Sequence, residues 1–294
     1  MILGAEESKA LATESLVDVA KHCIRAIHHA PQITGRVKVK TAILTGEALE
    51  PVIEVLEAIG EHQLVLWMDG LTYRTAYDEG NPPVLLLIGA DLTKSQSGWD
   101  CGACGFSTCK EFNKYSSDNY GLGLGTFGPS CMMNVLDFGI MCDYGCAAAS
   151  KNDTENRIHV SVGLVGLLLD ILPECSYVLG LSLGPLKELW YYNRPAFTKI
   201  WDKEWNRDFW EALIRQMFPL MFQTFCGQAN PPIKTMDKWW EQDDFDYVKV
   251  GPDPELNQKY KMLLPKALSV IPGARAKIEA LKEKAARELD PQEV

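Results

Sequence analysis

Three cysteines fall within nine positions in the stretch GWDCGACGFSTCKEF: Cys101, Cys104 and Cys109. Their spacing is C-x2-C-x4-C. Two thiolates separated by two residues can converge on one metal or cluster from a tight turn. Gly102 and Gly105 permit the backbone angles such a turn needs. A free backbone N–H can then point at sulfur, and Trp99, Phe106 and Phe112 can form an apolar shell against water.

A tetrahedral zinc site or an iron–sulfur cube needs a fourth ligand. The candidates are Cys131, Cys142 and Cys146. Cys131 follows the turn Gly128-Pro129-Ser130, where a helix should begin, which favours it. Cys142 and Cys146 lie one turn apart on that helix, either facing the site or buried as small apolar residues. Zinc sites usually show two close pairs, whereas here one pair, a third thiol and a distant fourth occur. That pattern points to a [4Fe–4S] cluster on Cys101, Cys104, Cys109 and Cys131.

The chain has 294 residues, 47% hydrophobic and 23% charged, a globular composition long enough for one large domain or two ordinary ones. Its net charge of −10 argues against nucleic acid as the main partner, because phosphate contact needs Lys and Arg clusters. No apolar run is long enough for a transmembrane segment. The opening MILGAEESKALATE lacks the basic start and apolar core of a signal peptide, so a cytoplasmic location is expected. In a reducing compartment, nine cysteines speak for metal or redox chemistry rather than disulfides.

The positioning elements alternate in type. Residues 8–29 read as a helix with Leu16, Val19, Cys23 and Ile27 on one face. Residues 37–46 read as a strand and 48–60 as a helix stopped by Gly60. PVLLLIGA (83–90) is a strand buried on both faces. Residues 130–149 read as a helix with Met133, Leu136, Ile140, Tyr144 and Ala147 along one face. Residues 156–173 read as an apolar helix, and 176–184 as a strand. The fold class expected is layered α/β, with residues 1–195 as the core, a cluster-binding segment at 95–131, and 196–294 as an aromatic-rich helical extension. Six of eight tryptophans lie between Trp190 and Trp240, in a segment suited to a satellite core or a subunit interface. Pro219 should break any helix there.

Other motifs carry less. GLGTFG (123–128) lacks the preceding strand and following helix of a dinucleotide site and reads as a connector returning Cys131 to the other thiols. His28 and His29 suit a helix end. His159 reads as a core histidine, and Cys23 and Cys175 as small buried apolar residues, while Cys226 is open. Asp137 and Asp143 read as helix-surface or N-terminal acids, with proton coupling at a nearby cluster as the functional alternative.

The block CGACGFSTC with Cys131 resembles the four-cysteine iron–sulfur domain of corrinoid iron–sulfur proteins and of the Rnf electron-transport B subunit. Over residues 1–195, the cysteine block, DFGI (137–140), NRI (156–158) and YVLGLSLG resemble uncharacterised prokaryotic proteins containing a ferredoxin domain. That resemblance implies a cofactor and an anaerobic redox context without a substrate. The cysteines at 142 and 146 depart from it. The order of RAIHHAPQITGRVKVKTAILTGE, DFGI and YVLGLSLG is also similar to nitroreductase-like flavoproteins, which would imply dimers binding FMN. The Arg-rich opening of that group is missing, with only Arg25 and Arg36 as substitutes. The resulting expectation is an electron-transfer protein serving a redox partner protein, as a homodimer or a subunit of a complex. The alternatives are an FMN-dependent oxidoreductase fed by the cluster and a structural or assembly protein with a four-cysteine metal site.

Overall fold

A computed structural model describes residues 4–61, 64–122, 126–184 and 265–289. The chain divides into one unit of Met1–Arg194 with Ala267–Val294, and another of Pro195–Lys266. The expectations for residues 196–264, including the aromatic segment, Pro219 and Cys226, lie outside the described residues.

The centre of the first unit is a four-stranded sheet in the order β1 (Val39–Leu44), β2 (Val84–Ala90), β6 (Tyr177–Leu183), β5 (Asn156–His159). Every neighbouring pair is antiparallel, with Leu86 opposite both Ile43 and Leu181. All seven residues of β2 are buried. The reason is a layer on each face. Leu85 and Leu87 point into a core with α2 (Glu50–Gly60), α3 (Leu64–Asp78) and α6 (Val160–Leu168). Val84, Leu86 and Ile88 point into a second core with α1 (Ala5–His29) and α5 (Met132–Lys151). The period-2 alternation of a strand is thus present in β2, hidden because both faces need apolar residues.

The architecture is mixed α and β with an antiparallel sheet. Two helices, α2 and α3, join β1 to β2. Each reverses the chain, so β2 returns antiparallel to β1. Arg74 of α3 clamps this pair of helices, donating to both oxygens of Glu50 at 2.9 and 3.0 Å and to both oxygens of Glu57 at 2.9 Å. Those carboxylates hold the guanidinium in its charged form, well above its ordinary range. The last described helix, α7 (Ile271–Leu289), packs on α2 in the same unit, burying Ala274 and Ile278.

Residues 156–173, expected as one helix, split into β5, α6 and a loop. The apolar run continues across the boundary, so hydrophobicity alone does not mark it. Close approach does. A Cβ on Gly163 would stand 2.0 Å from the carbonyl oxygen of Val178, so α6 lies directly on the backbone of β6. Among the described residues, no helix is long and apolar enough to cross a membrane.

Candidate metal centre

The segment after β2 carries the first three cysteines, and hydrogen bonds bring the fourth to it. Leu92 donates its N–H to Ser176 Oγ (2.8 Å), and the Cys131 N–H donates to the Leu92 carbonyl (2.8 Å). Asn134 Nδ2 donates to the Lys94 carbonyl (2.9 Å). Ser116 Oγ donates to the Pro129 carbonyl (2.7 Å), tying α4 (Cys109–Asp118) to the approach to Cys131. Asn113 of α4 holds the Ser95 backbone at both ends, accepting from its N–H at 2.7 Å and donating to its carbonyl at 2.9 Å.

Between these anchors the chain folds into a turn-rich loop. Gly98, Asp100, Gly102 and Gly105 have φ of 65°, 50°, 71° and 81°. The expectation that Gly102 and Gly105 supply left-handed backbone is met, and the Gly105 N–H closes a turn on the Gly102 carbonyl at 2.9 Å.

Cys101, Cys104, Cys109 and Cys131 line one cavity with Phe106, Phe112 and Met133. Cys101 is exposed, Cys104 and Cys109 are half-buried, and Cys131 is buried. The cavity is narrow, about 10 Å³. Among the described residues, no three Cys, His, Asp or Glu side chains converge on a point that would hold a single metal ion.

Local structure acts differently on these sulfurs and favours negative charge on Cys109. Cys109 is the first residue of α4, behind a Thr108 N-cap whose side chain accepts from the Glu111 N–H. Cys131 is the N-cap residue of α5. A helix N-terminus stabilises a thiolate. The Ser95 hydroxyl donates to Cys109 Sγ (3.3 Å), and the Met132 N–H donates to Cys104 Sγ (3.3 Å). The Ser95 hydroxyl, followed by the Asp100 backbone, lowers the Cys109 pKa below the usual thiol range. Burial raises Cys104, and its neighbours Cys131 and Cys101 add to that rise.

The other described cysteines stand apart. Cys142 and Cys146 belong to the seam between α5 and α1, where Cys23 also packs, and do not line the four-thiol cavity. Burial pushes Cys23 and Cys142 up to about 12, and Cys146 and Cys175 up to about 11, which favours the neutral thiol at these positions.

Several expected placements are corrected. Trp99 is 48% exposed and does not line the cavity. Met133 takes that place in the apolar shell. The apolar face expected on α5 is not its buried side: Leu136 and Tyr144 are 42% and 43% exposed and Met133 and Ile140 half-buried, while Asn134, Asp137, Phe138, Met141 and Cys142 are buried. Asp137 is therefore not a surface or N-terminal acid. Its carboxylate accepts from the N–H groups of Ile33 (2.5 Å) and Thr34 (2.9 Å) and from Thr34 Oγ1 (2.5 Å), tying the loop after α1 to α5. Asp143 is exposed.

His159 is a buried core residue whose Nδ1 lies 3.4 Å from Asp69 Oδ2. His28 and His29 occupy the last turn of α1. Arg25 is held by His22 (3.1 Å). Within GLGTFG, residues 123–125 lie outside the described residues. The flanking pairs β3 (Gly121–Leu122) and β4 (Phe127–Gly128) form a two-stranded ribbon, so the motif does not open a helix. Ser95, Asn113 and Asp100 escaped the sequence reading. Their only signal is polarity beside the cysteines, in TKSQSGWD and KEFN.

A family model described as "Uncharacterized protein containing a ferredoxin domain" matches residues 127–194. The matched stretch includes Cys131 and begins after the other three cysteines. The chain is also 27% identical over 165 residues to an "Uncharacterized protein" of Archaeoglobus fulgidus, covering 56% of this chain and 84% of the relative. No solved structure matches the chain.

Proposed function

We propose that this protein binds a [4Fe–4S] cluster through Cys101, Cys104, Cys109 and Cys131 and carries electrons to a partner protein. The observation that carries this reading is the meeting of four thiols from two distant segments at one cavity, two of them at helix N-termini. The similarity to a ferredoxin-domain family points the same way.

The donor set favours a cluster over zinc by its spacing: one close pair, a third thiol and a distant fourth, where zinc sites usually show two close pairs. An iron–sulfide cube holds its thiolates further apart, at its corners. When bound, such a cluster supplies reversible one-electron chemistry, and four protein thiolates leave its irons no open position.

The chain's own groups do the rest. Ser95 and Met132 donate to ligand sulfurs and so tune the potential, and the N-termini of α4 and α5 offset the added negative charge. Phe106, Phe112 and Met133 keep water from the buried side. The space between the thiols is about 10 Å³, so holding a cluster would require the loop with Cys101 and Cys104 to lie further out.

The fourth ligand separates this reading from its rivals. Cys131→Ser should lower the iron and sulfide content of protein purified without oxygen, whereas Cys142→Ser should leave it at the wild-type level. Wild-type content in the Cys131→Ser protein would remove Cys131 from the site.

A further inference from the structure

A second cavity, of about 620 Å³, lies on the other side of the segment that carries the thiols. Lys94 lines it, whereas the next residue, Ser95, points to Cys109. Its volume falls within the range of small-molecule sites.

Two cations reach it uncommitted. Arg275 of α7 donates its Nε–H to the carbonyl of Leu168 at the end of α6 (2.8 Å), which fixes the guanidinium while both Nη groups have no protein partner among the described residues. Lys94 Nζ likewise has no partner among them. Three carboxylates also line the cavity, and two of them have partners. Asp91 Oδ1 accepts from the Thr93 N–H (3.0 Å) and hydroxyl (2.6 Å), and Glu174 pairs with Lys40 Nζ (2.7 Å). Asp170 is the remaining open carboxylate.

An aromatic wall completes the cavity. The rings of Tyr120 and Phe127 stack with centroids 5.3 Å apart and planes 6° from parallel. The Phe127 N–H is bonded to the Ser176 carbonyl (2.8 Å), which anchors that ring beside the sheet.

From this arrangement we infer that the cavity binds a small organic anion, a carboxylate or a phosphate monoester, that carries a flat ring. The anion lies between Lys94 and the fixed Arg275 guanidinium, which offers two parallel donors to an oxyanion. The ring lies on the Tyr120–Phe127 wall. Asp170 selects ligands with a hydroxyl or amino donor near the anionic end.

The test uses the purified full chain and saturation-transfer NMR with four probes: phenyl phosphate, 4-hydroxybenzoate, inorganic phosphate and benzyl alcohol. The expected result is binding of phenyl phosphate or 4-hydroxybenzoate, with the stronger of the two naming the anion. Inorganic phosphate and benzyl alcohol should each bind at least fivefold more weakly. Lys94→Ala and Arg275→Gln should each weaken the preferred probe at least fivefold. The Lys94 side chain has no bond among the described residues, and Lys94→Ala keeps the backbone carbonyl that Asn134 holds, so this variant keeps the fold even if the loss at Arg275 loosens α7. Absence of binding by both ring anions at 10 mM (roughly the weakest useful affinity), or equal affinity in wild type and Lys94→Ala, would overturn the inference. Iron and sulfide counted on the same samples report separately on the cluster.

Discussion

Asp137 is the residue whose role changed most between sequence and structure, and its removal gives a measurable consequence. The carboxylate is fully buried on α5 and accepts three hydrogen bonds from Ile33 and Thr34. Hydrogen bonds to a charged acceptor contribute about 1.5–3 kcal/mol each, which would set an upper range of about 4.5–9 kcal/mol for three. Two effects reduce it. Ile33 is 48% exposed, so water can re-engage donors in this loop. Removing a buried carboxylate also relieves its desolvation cost. Asp137→Ala should therefore destabilise the loop's attachment by about 3 kcal/mol. Asp137→Asn keeps one acceptor but turns an NH2 toward a donor, and should cost about 1–2 kcal/mol. The direct assay is hydrogen exchange of a peptide spanning residues 30–37. A change of about 3 kcal/mol in local opening is roughly a 150-fold loss of protection at the Ile33 and Thr34 amides. Protection in Asp137→Ala equal to wild type would refute the argument that this carboxylate pins the loop.

Three further outcomes follow from the same geometry. Ser95→Ala removes the hydroxyl that contributes most to the depressed Cys109 pKa, while Asn113 still holds the Ser95 backbone. The midpoint of the iodoacetamide rate-against-pH curve for Cys109 in metal-free protein should therefore move up, and an unmoved midpoint would contradict that assignment. On α5, Phe138→Ala should cost about 3–5 kcal/mol in urea unfolding and Leu136→Lys less than about 0.5 kcal/mol, the reverse of what the apolar pattern alone suggests. Gly163→Ala should destabilise by more than about 3 kcal/mol, because its Cβ meets the β6 backbone rather than a side chain that can move; a near-neutral result would mean α6 sits further from the sheet.

The sequence displayed elements whose environment matches their pattern. Leu16, Val19, Cys23 and Ile27 are all buried on α1, because its outer face is charged and contrasts with them. β2 was legible as a strand buried on both faces because both of its faces meet helices. α5 was not legible in orientation, since apolar residues occur all round it. Its buried side is chosen by small residues that let α1 approach: a Cβ on Gly145 would lie 3.0 Å from Ile27. Asp137 faces inward because the loop after α1 supplies donors, a partner 103 residues away in the chain that no local pattern reveals. α3 was hidden by Asp69, Gly70 and Thr72, polar or small residues that are buried through tertiary contacts. The antiparallel sheet was hidden with it, because that extra helix sets the direction of β2. At the site, thiol spacing marked the candidate ligands, and the turn at 128–130 singled out Cys131. The donors at the sulfurs were not marked, because Ser95 and Met132 reach them only through the folded path of the chain.

The most direct test of the central claim is a count of iron, acid-labile sulfide and zinc in protein purified without oxygen, with electron paramagnetic resonance before and after dithionite reduction. The account predicts four iron and four sulfide per chain, silence in the oxidised state and a signal from one unpaired electron on reduction. One zinc per chain with no sulfide would contradict it, and Cys101, Cys104, Cys109 and Cys131 would then be a structural clasp rather than an electron site.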